Sequence, residues 1–185
     1  GGGTPTKLSP HLLERLMEGL SHEFRIDFKG EIAIEIDPRT CTGPGSAKVA
    51  KLRQLGFNRV SMGVKDRDQR VQEAVRRRQS WEVSVECFEL ARAAGFSSIN
   101  VDLIYGLPYQ SQESFDVTCE ALIDLQPDRM ALFSYAKVPW LKGHQRAIRD
   151  SDLPSVSEKF AIYCSARQKL VEAGYVAIGM DHFAA

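Results

Sequence analysis

Along this 185-residue chain, a short stretch with an apolar residue at every second position is followed at least four times by a segment with helical apolar spacing. Alternation of that kind, with short connections, predicts a parallel α/β sheet joined by right-handed crossovers. Ser9 and Pro10 announce the first helix, which carries Leu12, Leu13, Leu16, Met17 and Leu20 and should end before residues 27–30. Ile32, Ile34 and Ile36 then alternate with Ala33, Glu35 and Asp37 in a strand that stops at Pro38. Residues 41–46 read as loop, and 47–55 as a helix closed by Gly56. A second strand covers 59–64, and a charged region runs on through Gln79. A helix at 83–94, a strand carrying Ile99, Val101 and Leu103, and a break at Gly106-Leu107-Pro108 follow. Ser111 caps a helix to Leu125, residues 130–135 form a fourth strand, 156–173 another helix, and 175–178 a last strand of the same sheet.

Three of these strands put apolar residues on one face and polar ones on the other: Glu35 with Asp37, Ser61 with Lys65, and Asn100 with Asp102. A parallel sheet covered by helices on both sides would read apolar on both faces. A barrel whose lumen opens at the strand C-terminal ends accounts for the polar face, because that end is where such folds keep their chemistry.

Lys and Arg, 24 together, balance 24 Asp and Glu, and the sequence pI is near 7.1. That balance leaves no broad electrostatic footprint for nucleic acid or an acidic membrane surface. No apolar run approaches the roughly 18–20 residues needed to span a bilayer, and the first residues lack a signal-peptide pattern, so a cytoplasmic location is expected. Cys41, Cys87, Cys119 and Cys164 are far apart with no CxxC spacing and read as isolated thiols; the histidines form no HxH or HxxxH pair, and no metal site is expected. The chain opens Gly1-Gly2-Gly3-Thr4-Pro5 without an initiator Met, which suggests a fragment.

Gly1-Gly2-Gly3-Thr4 offers unobstructed backbone N–H groups to a carboxylate or phosphate, or forms a flexible turn. Glu35 and Asp102 lie near the ends of separate strands on the polar face. They suit ribose hydroxyls or a substrate ammonium, or else a structural ion pair with Lys65. Arg76-Arg77-Arg78 is a solvated basic face or a fork for a carboxylate. Trp140, beyond a strand end, lines a pocket or packs in a loop.

Taken together, Gly1-Gly2-Gly3-Thr4-Pro5, Ile34-Glu35-Ile36-Asp37-Pro38-Arg39, Gly56 to Val64, Val101-Asp102-Leu103-Ile104-Tyr105-Gly106-Leu107-Pro108, Tyr135-Ala136-Lys137-Val138-Pro139-Trp140 and Met180-Asp181-His182-Phe183-Ala184 carry a resemblance. They resemble the oxygen-independent coproporphyrinogen III oxidase (dehydrogenase) family of radical S-adenosylmethionine enzymes. The resemblance implies a partial (β/α) TIM-like barrel over residues 1–185, lacking an N-terminal cluster-binding segment and a C-terminal domain. It implies two S-adenosylmethionine molecules, with Gly2, Gly3, Thr4, Glu35, Lys65, Arg77, Asp102 and Ala136 at cofactor-contacting positions; it names no catalytic side chain. In the family, a reduced 4Fe-4S cluster cleaves S-adenosylmethionine to a radical that takes a hydrogen from a propionate of coproporphyrinogen III. Carbon dioxide leaves, an external acceptor removes an electron to give the vinyl group, and two such rounds give protoporphyrinogen IX for haem synthesis. A flavodoxin- or ferredoxin-type electron donor and a monomeric state are likewise implied.

Two departures accompany the resemblance. The family's CxxxCxxC cluster loop precedes the glycine motif and is absent from this sequence, so the polypeptide by itself is expected to be inactive. Lys65 stands where the family usually has Gln, putting a cation in place of a neutral group and inviting a pair with Asp102 or Glu35. The related haem-chaperone group and a cluster-free S-adenosylmethionine-binding module are the alternative readings; Asp37-Pro38-Arg39 and Met180-Asp181-His182-Phe183 favour the oxidase.

Overall fold

A computed structural model describes residues 3–185. The chain divides into two compact units, Gly1–Gly63 with Glu82–Asn100, and Val64–Trp81 with Val101–Ala185. Six strands, β1 (Ala33–Ile36), β2 (Arg59–Lys65), β3 (Ser98–Tyr105), β4 (Arg129–Ser134), β5 (Val176–Gly179) and β6 (His182–Ala184), form one sheet in the order β1-β2-β3-β4-β6-β5. The helices are α1 (Pro10–Glu23), α2 (Ala47–Gln54), α3 (Gln69–Ala74), α4 (Trp81–Ala93), α5 (Gln112–Leu125) and α6 (Val156–Glu172).

In the first unit, Ser9 accepts a hydrogen bond from the Leu12 N–H and Pro10 opens α1, so the cap reading holds. That helix buries Leu13 and Met17, and α2 buries Val49 and Leu52. Strands β1 and β2 pair parallel with Ile34 opposite Val60 and Ile36 opposite Met62, and all four side chains are buried. Their alternation fixes register, since a slip of one residue would turn this apolar set to the other face. Gly56 follows α2 at φ +97°, the left-handed turn that ends the helix.

In the second unit, α5 and α6 pack together and each starts with a Ser capping box, Ser111 with Ser114 and Ser155 with Glu158. Phe115, Leu122, Met130, Leu132, Leu170 and Phe183 are almost wholly buried, each contributing about 1.5–3 kcal/mol over the exposed state.

The structure corrects the sequence reading at three places. The charged region after β2 contains the helix α3, whose Asp68 cap accepts from the N–H groups of Arg70 and Val71. The chain end is an antiparallel hairpin rather than one more parallel strand: β6 pairs antiparallel with both β4 and β5. Its two-residue turn places Met180 and Asp181 at φ +46° and +65°, the left-handed geometry that matches strand twist. Finally, Cys41 and Cys87 are not isolated. Both are fully buried, and the neighbouring Cys87 thiol lowers the Cys41 pKa while that of Cys87 is raised.

Access, not ionisation, therefore controls thiol reactivity. Cys41, Cys87 and Cys119 are buried and Cys164 is exposed. One of the four thiols should react promptly with an aromatic disulfide reagent and the other three only in denaturant. Two or more fast thiols in the native protein would contradict this packing.

Candidate functional site

The first unit supplies a glycine–threonine loop pinned to the end of β1. Gly3 sits at φ +95°, and a Cβ there would meet open space, so conformation rather than crowding requires glycine. Gly2 lies outside the described residues. Half-buried Thr4 precedes a 3-10 turn at Pro5–Lys7, its carbonyl accepting from the Lys7 N–H at 3.0 Å. The anchor is Thr6, fully buried: its hydroxyl oxygen accepts from the Asp37 N–H at 3.1 Å and from the Thr40 hydroxyl at 2.7 Å. Its carbonyl accepts from the Lys48 ammonium. Asp37 in turn holds Arg39 through bonds of 2.9 and 2.6 Å.

The polar strand face is a row in this unit. Glu35 on β1 is in register with Ser61 on β2, and the Ser61 hydroxyl accepts from the Asn100 side-chain amide at 2.9 Å. Glu35 itself is solvent-exposed and makes no hydrogen bond or ion pair among the described residues.

The second unit places Lys65 and Asp102 together. Lys65 ends β2 at φ +72°, and its ammonium lies 3.5 Å from Asp102 Oδ2, with the two side chains 22% and 15% exposed. The pairing expected from strand alternation is thus with Asp102. Arg77 donates to Gln79 Oε1 at 2.5 Å. Ala136 follows β4; its carbonyl accepts from the Gln145 side-chain amide at 3.2 Å, and Gln145 accepts from the Val138 N–H at 2.5 Å. Next to it, the Tyr135 hydroxyl is buried without a hydrogen-bond partner among the described residues, and burial raises its pKa. Trp140 is exposed.

Sequence reasoning missed the group that fixes the end of β2. Asp66 is fully buried and accepts from the Asp68 N–H at 2.8 Å, the Thr118 hydroxyl at 3.0 Å and the Gln110 side-chain amide. Gln110 Oε1 accepts from the Gly106 and Leu107 N–H groups at 2.6 and 3.1 Å, tying the loop after β3 to the residue after Lys65. Only its place directly after a strand end could have signalled this, and a lone Asp in a charged stretch does not.

In the first unit the pinned glycine loop with exposed Glu35, and in the second Asp102 with the unpartnered Tyr135 hydroxyl, each offer donor and acceptor chemistry of the kind that ribose hydroxyls or an amino-acid end require. No three His, Cys, Asp or Glu side chains among the described residues group to hold a metal ion, so these residues do not fit an iron–sulfur cluster.

The fold defines a mainly parallel α/β protein. The family description "Radical SAM superfamily" matches residues 1–122, and the chain belongs to that superfamily. It is 46% identical over 184 residues to the oxygen-independent coproporphyrinogen III oxidase of Salmonella typhimurium, covering all of this chain and 40% of that protein. Against the Pseudomonas aeruginosa protein of the same name it is 47% identical over 186 residues, with the same coverage. The solved coproporphyrinogen III oxidase of Escherichia coli, described as a radical SAM enzyme, superposes with a TM-score of 0.93 at 44% identity, over all of this chain and 42% of that one. The chain thus spans about two fifths of the length of these relatives. Membership implies S-adenosylmethionine and a 4Fe-4S cluster as the superfamily's working groups. Among the described residues, no helix is long and apolar enough to cross a membrane.

Proposed function

We propose that this chain is the S-adenosylmethionine-binding portion of an oxygen-independent coproporphyrinogen III oxidase, which converts two propionates of coproporphyrinogen III to vinyl groups. The observation that carries the reading is the likeness of the whole chain to the Escherichia coli enzyme at 44% identity and TM-score 0.93. In this reading residues 1–185 are the larger part of the barrel, and the cluster-binding segment and a further domain belong to the rest of the protein.

Bound S-adenosylmethionine, with a reduced 4Fe-4S cluster, supplies hydrogen-abstracting radical chemistry. The residues of this chain bind and orient. In the first unit, the backbone of Gly2 and Gly3 with Thr4 receives the amino-acid end, and exposed Glu35 accepts from donors of the cofactor. In the second unit, Asp102 accepts from ribose hydroxyls, Arg77 forks onto a carboxylate and Ala136 presents backbone. Lys65, joined to Asp102 at 3.5 Å, competes with those hydroxyls for the same carboxylate. Two cofactor molecules, a flavodoxin- or ferredoxin-type donor and a monomeric state complete the proposal.

The whole protein, isolated anaerobically, should carry about four iron atoms per polypeptide. It should cleave S-adenosylmethionine and release carbon dioxide from coproporphyrinogen III. An iron-free protein, or one that takes up haem stoichiometrically without releasing carbon dioxide, would overturn the reading.

A further inference from the structure

Within the second unit, an open groove of about 870 Å³ lies beside the end of α3, lined by Gln69, Glu73, Arg76, Arg78, Gln79 and Ser80. Its volume is in the range of small-molecule sites, roughly 300–1,000 Å³. The groove is polar and basic, for a reason that starts in the backbone.

The helix ends in a Schellman turn: the Arg77 N–H bonds to the Gln72 carbonyl and the Arg76 N–H to the Glu73 carbonyl, both at 2.9 Å. The left-handed position of that turn, normally glycine, is Arg76 at φ +56°. An arginine is a costly choice there on backbone grounds alone, and such outliers gather at ligand sites. The rest of the turn is fixed from beneath. Gln79 is buried, its side chain accepts from Arg77 and its carbonyl accepts from the Gln72 side-chain amide at 2.8 Å. Arg76 and Arg78 flank this anchored turn and are exposed, and neither guanidinium makes a hydrogen bond or ion pair among the described residues. The one acid in the lining, Glu73, accepts from the Gln69 side chain at 2.8 Å. Two unengaged, planar, always-charged forks thus stand on a rigid loop over a groove whose remaining lining is two amides, a hydroxyl and the Glu73 carboxylate already engaged by Gln69. Such forks match carboxylates in a bidentate way, and a fixed loop reduces the ordering cost of binding.

We infer that this groove binds carboxylates of a polycarboxylate substrate through Arg76 and Arg78, and, resting on the function proposed above, that these are propionates of the tetrapyrrole that the radical chemistry does not consume.

The test uses the fluorescence of coproporphyrin III, the oxidised substrate analogue, titrated with the whole protein and with its variants. The paired variant Arg76→Gly with Arg78→Gln should bind at least tenfold more weakly than wild type. Arg76→Gly places the residue the turn prefers, so this change alone should leave the melting temperature no lower while weakening binding. Arg78→Lys, with the charge but not the fork, should fall in between. The tetramethyl ester, lacking carboxylates, should not bind. Unchanged affinity in the paired variant would overturn the groove assignment and leave the proposed function standing. Absence of coproporphyrin binding by the wild type would overturn both. Equal binding of the ester, or displacement by inorganic phosphate at the concentration of the porphyrin, would overturn carboxylate recognition.

Discussion

Replacing Asp66 by Ala should lower the unfolding free energy by about 3 kcal/mol, a large share of the roughly 5–15 kcal/mol that holds such a domain. The carboxylate is fully buried and three donors converge on it: the Asp68 N–H, the Thr118 hydroxyl and the Gln110 amide. Truncation leaves all three unmatched at about 1–3 kcal/mol each, offset in part because a buried charge is also removed. Asn is no remedy. Gln110 Oε1 is committed to the Gly106 and Leu107 N–H groups, so Gln110 cannot turn over, and an Asn amide would face another N–H donor. Urea denaturation of both variants checks this; a midpoint like that of wild type for either would refute the network.

The pH dependence has a definite sign. Burial raises the Asp66 pKa above its ordinary 3.8, so the folded protein takes up this proton before the unfolded chain does. The cost of the buried charge is therefore fully present above the folded pKa and is relieved as pH falls through it toward 3.8. Wild type should gain stability over Asp66→Asn across that acid window, and a gap that narrows there would contradict the burial of a charged carboxylate.

The second large effect falls on the Lys65–Asp102 pair. Asp102→Ala in the whole protein should weaken S-adenosylmethionine binding by about tenfold or more, the worth of a hydrogen bond to a charged acceptor. Lys65→Gln should act in the opposite direction. It withdraws a partly exposed cation 3.5 Å from that carboxylate, and since such pairs contribute up to about 1 kcal/mol, tightening should reach at most about fivefold. Calorimetric titration reads both. Equal affinity for wild type and Asp102→Ala would remove Asp102 from the cofactor contacts, and equal affinity for Lys65→Gln would show that the cation does not compete.

The period-two alternation makes this pair legible in the sequence alone: Lys65 and Asp102 share the face opposite Val64, Val101 and Leu103, and strands of a β–α unit lie side by side. The Ser caps of α1 and α5 are equally readable because a cap is a local hydrogen bond. What stays hidden depends on partners distant in sequence or on unusual residues in a familiar role. Helix α3 is short and highly charged, with an apolar signal confined to Val71 and Ala74. The terminal hairpin turns on Met180 and Asp181, where Asn-Gly would have announced it. Asp66 depends on Gln110 and Thr118, 44 and 52 residues away.

The division of the chain into units also has a consequence in time. The first unit joins residues 1–63 to 82–100, with 64–81 belonging to the other. On a ribosome adding about 5–20 residues per second, the apolar faces of α2 and β2 exist for seconds before α4, which brings Phe88 and Ala91 to the same core, has been made. During that interval those apolar faces lack the helix that helps to cover them, and slowing of translation between residues 64 and 100 would lengthen their exposure.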